Sequence, residues 1–187
     1  MICLACNSLG PSTLCETCAH LLRPAPEQFI AGVGVVRSAY LHRDPARLLV
    51  HHLKYRGVVA SGWRLAEAMA ALVPGDVALV PVPRVGWRRV RYGIDPAIEL
   101  ATALSRITGS PVRAALSAPL WGKPRAGGTH GFAPRFRLRR PPAEPVVLID
   151  DVITTGTTLA VAARLLPGVV GAVTATTSTG HRVDRST

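Results

Sequence analysis

Lysine is almost missing from this chain: it occurs only at Lys54 and Lys123, although Lys and Arg together number 22. Acidic residues are scarce too, 11 in all, so the formal net charge is +11. Such a balance favours polyanions, whether nucleic acid or pyrophosphate-bearing metabolites. The preference for arginine suits bidentate phosphate contacts; a GC-rich coding bias accounts for it equally well. Aromatic residues make up only 5% of the chain, which excludes a core built on rings and leaves Val, Leu and Ala to build it. No run of about 18 apolar residues occurs, so no transmembrane helix is expected. Met1-Ile2-Cys3 offers neither a charged n-region nor an apolar h-region, so no signal peptide is expected and the protein is placed in the cytoplasm. At 187 residues, 48% of them hydrophobic, the chain has room for one domain of ordinary size and a small appendage.

No cysteine follows residue 18. All four lie in two pairs, Cys3-x-x-Cys6 and Cys15-x-x-Cys18. Two such knuckles in a cytoplasmic chain read as a four-cysteine zinc site, each giving two thiolates to one tetrahedral ion. Two disulfides are the alternative, and a reducing compartment argues against them. A segment this short has no core of its own, so the metal would hold it folded. His20 is a bystander in this reading, because four sulfurs already close the site.

The most informative stretch is Val146-Val147-Leu148-Ile149-Asp150-Asp151-Val152-Ile153-Thr154-Thr155-Gly156-Thr157-Thr158. Four apolar residues predict a buried central strand over 146–149. It runs into two carboxylates and a Thr/Gly loop, and Leu159, Ala162, Ala163 and Leu166 then recur at helical spacing until Pro167-Gly168. A hydroxyl-rich loop opening a helix suits a phosphate, with backbone N–H groups and the helix dipole pointing at it. Gly156 would allow close backbone approach. Acceptor-only carboxylates at Asp150 and Asp151 suit a ribose diol, or the water shell of Mg2+. The plainer reading is a strand–helix turn with capping threonines and solvated aspartates.

The rest of the chain predicts alternating strands and helices. A linker over 21–28 precedes a strand over 32–40. Asp44-Pro45 then opens a helix in N-cap and N1 order, running to Gly57. Lys54, Tyr55 and Arg56 at its end either cap carbonyls or reach a ligand, whereas His51 and His52 face different sides and are structural or solvated. A helix over 61–72 and a strand over 77–80 follow. That strand ends in Pro81-Val82-Pro83-Arg84, at the edge where open α/β sheets bind ligands. Gly86-Trp87-Arg88-Arg89-Val90-Arg91-Tyr92-Gly93 is the densest basic cluster; a pyrophosphate-facing loop, a single-stranded nucleic-acid patch and a solvated loop all fit it. Asp95-Pro96 opens another helix, ending at Gly109. Residues 117–145 form a long irregular stretch of the kind used as a lid, with Gly127-Gly128-Thr129-His130-Gly131 at its tip. A last strand spans 169–177, before a frayed tail over 180–187.

The Thr154–Thr158 segment with its two preceding aspartates closely resembles the phosphoribosyl pyrophosphate (PRPP) signature of type I phosphoribosyltransferases. The full order of motifs resembles the ComF family: a pair of cysteine knuckles, Ala39-Tyr40, His52-Leu53-Lys54-Tyr55-x-Gly57, Val80-Pro81-Val82-Pro83, an Arg-rich turn into Gly93-x-Asp95-Pro96, then the PRPP signature. This resemblance covers nearly the whole chain. It implies a type I phosphoribosyltransferase-like α/β fold, a parallel sheet flanked by helices over residues 30–187, carrying a small four-cysteine zinc ribbon over 1–24. In that frame Thr154, Thr155, Gly156, Thr157 and Thr158 hold the 5′-phosphate. Asp150 and Asp151 hold the diol and stabilise an oxocarbenium-like ring. Arg84, Arg88, Arg89 and Lys54 are the candidate cations for substrate, and Mg2+ accompanies PRPP. The resemblance also implies, in some relatives, a link to uptake of single-stranded DNA. The chain departs from the family pattern at Arg91-Tyr92-Gly93-Ile94-Asp95-Pro96 and at Ala126–Gly131, in the region that would close over substrate. A second reading therefore stands beside the transferase: a non-catalytic PRPP- or nucleotide-binding accessory in DNA uptake that docks single-stranded DNA or a helicase-type partner.

Overall fold

The computed structural model describes residues 1–84, 93–119 and 135–178. Its centre is a five-stranded sheet made of β1 (Gln28–Ile30), β2 (Gly34–Leu41), β7 (Val169–Thr177), β6 (Val146–Ile153) and β3 (Ala78–Pro81), in that spatial order. β2, β7, β6 and β3 run parallel, and only the edge strand β1 is antiparallel. A single parallel bridge from Leu79 to Val112 extends the other edge. Helices cover both faces, as parallel sheets require.

The apolar run of β6 follows from this burial. Alternate side chains point to opposite faces: Val147 and Ile149 join one cluster, Val146 and Leu148 the other. The first cluster packs α2 (Ala46–Arg56), α3 (Val59–Ala70) and α4 (Pro96–Thr108) through Leu49, Leu53, Leu65, Met69, Leu100 and Leu104. Burying each of these fully is worth about 2 kcal/mol. The second cluster packs α5 (Thr157–Ala163) through Leu159 and Ala162.

Several boundaries differ from the sequence pattern. The pattern ends the central strand at Ile149, but β6 continues to Ile153, because the long neighbour β7 keeps offering ladder partners: Asp150 pairs with Thr174 and Val152 with Thr176. The two aspartates therefore lie within the strand and not beyond its tip. Asp44 does not cap α2; Pro45 takes that position and the Asp44 carboxylate instead holds the Arg47 guanidinium at 2.9 and 3.0 Å. The predicted linker over 21–28 contains a bridge from Pro24 to Tyr40 and the start of β1. The second helix starts two residues early, at Val59. A six-residue helix, α1 (Glu16–Leu21), follows directly from Cys15. The base of the predicted lid is a two-stranded antiparallel ladder, β4 (Leu116–Ser117) with β5 (Arg137–Leu138). Its tip at 127–131, the tail over 180–187 and Lys123 lie outside the described residues. The final strand and the glycine stops at Gly57 and Gly109, both in the left-handed region, stand where the pattern puts them.

Candidate functional site

Parallel strands place their carboxyl ends on one edge of the sheet, and nine of the predicted site positions, Asp150, Asp151, Lys54, Arg84 and residues 154–158, lie there or beside it. Strand alternation sends the two aspartates to opposite faces. Asp151 lies on the face of Val147 and Ile149, under α2, where Lys54 Nζ approaches its carboxylate at 2.8 and 3.1 Å. Asp151 is 6% exposed. Asp150 is partly buried on the other face, and its Oδ1 accepts the Asp151 backbone N–H at 2.8 Å. Burial, and then the Asp151 charge beside it, push the Asp150 carboxyl up to about 8, against the opposing pull of that N–H and of Lys54.

Arg84, just past β3, is engaged by the protein itself. Its Nη1 donates to the Lys54 carbonyl at 3.2 Å, its guanidinium lies 5.8 Å from the centre of the Tyr55 ring, and its backbone N–H donates to Asp95 Oδ2 at 3.1 Å. Asp95 starts α4 without a side-chain capping bond, so it serves Arg84 and not the helix. A continuous path thus runs from Asp151 through Lys54 and Arg84 to Asp95. Arg88 and Arg89 lie outside the described residues.

The loop after β6 is closed by its own hydroxyls. Thr155 Oγ1 and Thr157 Oγ1 are 2.9 Å apart, and the Thr157 N–H donates to Thr155 Oγ1 at 3.4 Å. Thr154, Thr155, Thr157 and Thr158 are exposed, and Gly156 is buried with φ +72°. A Cβ there would sit 2.4 Å from Ile30 Cδ1 of β1. The left-handed turn therefore favours glycine, and Ile30 of the edge strand packs closely over it. α5 has only seven residues, so its dipole is weak and the exposed hydroxyls and N–H groups of the loop are the main polar groups at this turn.

Beside this edge lies a polar layer that the sequence pattern does not announce. Ser38 Oγ and Thr174 Oγ1 are 2.7 Å apart, Gln28 Nε2 donates to Thr177 Oγ1 at 2.7 Å, and His42 Nδ1 lies 2.8 Å from Thr176 Oγ1. Desolvation, followed by the charges of Arg47 and Lys54, lowers the His42 pKa. The only available signal was the run Thr174, Thr176 and Thr177 in an otherwise apolar strand, which asks for buried partners.

The four cysteines form a second centre. All are free, and their sulfurs lie within 4.8 Å of one another. Cys6 Sγ and Cys15 Sγ are 3.7 Å apart, too far for a disulfide and close to the ~3.8 Å edge of a tetrahedron with metal–sulfur bonds of about 2.3 Å. The Cys15 N–H points at Cys3 Sγ at 3.4 Å. Burial opposes ionisation of Cys3, yet this N–H and those of Cys6 and Ala5 outweigh it and bring the thiol down to about 6. Burial, then the neighbouring cysteines, raises Cys18. Crowded thiols of this kind ionise together only around a cation, so the donor set fits a metal ion such as zinc. His20 is outside the group. Among the described residues no other cluster of three or more potential metal ligands occurs. No helix of the described residues is long and apolar enough to cross a membrane. No protein-family model matches the chain, and no curated protein matches it.

Proposed function

We propose that the chain is a ComF-like protein with a type I phosphoribosyltransferase fold that binds PRPP and transfers its phosphoribosyl group to an acceptor. The observation that carries this reading is the join of β6 to α5: two carboxyl side chains near the end of a central parallel strand, followed at once by Thr154-Thr155-Gly156-Thr157-Thr158, whose four threonines are exposed. In this reading the loop hydroxyls and N–H groups hold the 5′-phosphate, and Asp150, the carboxyl not already paired with Lys54, meets the ribose. The reaction would displace pyrophosphate from C1, with Asp150, once it has released its proton, offsetting the ring's developing positive charge. Mg2+ would arrive with PRPP and offset charge on the leaving group. The four-cysteine cluster would carry structural zinc.

Titration calorimetry with Mg2+–PRPP on wild type beside Asp150→Asn/Asp151→Asn tests this. Micromolar binding lost in the double variant supports it; no binding to zinc-replete wild type sinks it.

One observation favours the second reading, a non-catalytic accessory in DNA uptake. Asp151 is already matched by Lys54, which leaves it less available to a substrate, while the charge of +11 suits single-stranded DNA. Strongly salt-dependent binding to a single-stranded oligonucleotide, without pyrophosphate release from PRPP, is the outcome it expects.

A further inference from the structure

The cysteine cluster and the carboxylate site meet on one helix. His52 of α2 is 6% exposed, and its Nδ1–H donates to the Leu4 carbonyl at 2.7 Å. Leu4 lies between Cys3 and Cys6 in the first knuckle, and its own N–H is held by the Thr13 carbonyl beside the second, at 2.8 Å. The His52 carbonyl meanwhile closes the end of α2, accepting the N–H groups of Gly57 and of Val58. Two residues further along the helix, Lys54 Nζ lies 2.8 Å from Asp151. Apolar packing runs the same way: Cys3, Ala5, Leu14 and Cys18 share a cluster with Leu49, Val50 and Leu53.

A buried histidine usually finds its partner within the core that surrounds it. Here the partner belongs to a segment whose order depends on four thiols. If the knuckles come apart, the His52 N–H is left buried without its acceptor, and the end of α2 loses both its polar tie and its apolar cover.

We infer that His52 is a positioning residue: by tying α2 to the first cysteine knuckle it sets where Lys54 meets Asp151, so the state of the cysteine cluster is coupled to the carboxylate site. Any effect on PRPP rests on the function proposed above; the coupling itself does not.

The experiment compares amide hydrogen exchange at 53–56 and at 151 in the full zinc-loaded chain and after chelation under reducing conditions. The variants are His52→Leu, which removes the donor, and His52→Asn, which keeps one near Nδ1. Chelation should speed exchange in wild type at least about fivefold, the low end of ordinary coupling between sites. His52→Leu should show that faster exchange with zinc still bound, and His52→Asn should restore slow exchange. Exchange unchanged in zinc-loaded His52→Leu, or equally fast in Leu and Asn variants, overturns the inference, as does a chain that binds no metal. Mg2+–PRPP affinity measured on the same samples should fall by a similar factor in His52→Leu and recover in His52→Asn. If no form binds PRPP, the transferase reading fails, while the exchange data still decide the coupling.

Discussion

Lys54 Nζ lies 2.8 Å from Asp151 Oδ2 and 3.1 Å from Oδ1, joining the end of one helix to a central strand 97 residues away. The side chains are 20% and 8% exposed, so this pair is largely removed from water. Breaking one partner of such a pair costs more than removing both, because the survivor is a buried uncompensated charge. Lys54→Met should therefore destabilise the fold by about 3 kcal/mol, while Lys54→Met/Asp151→Asn should lose clearly less than the sum of the single variants. Urea denaturation of the four proteins measures it; strictly additive losses would mean that the pair contributes no coupling.

Asp150 sets a pH dependence of definite sign. Its carboxyl is raised to about 8 from an ordinary 3.8, by burial first and then by Asp151. Between those values the folded chain holds a proton that the unfolded chain has released, so stability falls as pH rises through this window. The slope is at most about 1.4 kcal/mol per pH unit. Melting temperatures from pH 4 to 9 should decline for wild type and run flatter for Asp150→Asn; parallel curves would show that Asp150 titrates normally.

Gly156→Ala introduces two separable costs. The left-handed backbone at φ +72° strains any residue with a Cβ, by about 1–3 kcal/mol. The new Cβ also meets Ile30 Cδ1 at 2.4 Å, the far end of a side chain that can turn away. Adding Ile30→Val should relieve only the second cost, so Gly156→Ala/Ile30→Val should recover part of the stability measured by denaturation. Full recovery would mean that the backbone strain is negligible.

The cysteine cluster should hold metal in a fixed ratio. Elemental analysis of protein purified under reducing conditions should give about one zinc per chain, and Cys18→Ser should retain far less. Thiol titration without denaturant should find the four cysteines unreactive until a chelator is added. Four reactive thiols in untreated protein would refute a metal-bound cluster.

What could be read from the sequence was local. The apolar run Val146–Ile149 shows as a strand because both of its faces are buried, and the Pro96 start and Gly109 stop of α4 work through backbone dihedrals alone. The cysteine spacing likewise points to one centre, and the four sulfurs do converge. Elements too short to show a period escaped: β1 has three residues, and α1 has six. Asp44 and Asp95 both stand where a helix cap would stand, yet each carries its carboxylate to an arginine, Asp44 to the Arg47 guanidinium and Asp95 to the Arg84 backbone. Composition cannot separate those uses, because a short acceptor serves either.

Sequence alone thus determined which of the longer segments extend or coil and which cysteines could share a metal, since these depend on neighbours a few positions apart. Tertiary structure decided what each polar group faces. Strand alternation parts Asp150 from Asp151, the crossing of α2 brings Lys54 onto only one of them, and pairing of β2 with β7 sets Ser38 against Thr174 across 136 residues. Contacts of that range depend on how whole elements pack, because burying apolar faces fixes the layers first and the polar groups must then find partners wherever the layers leave them.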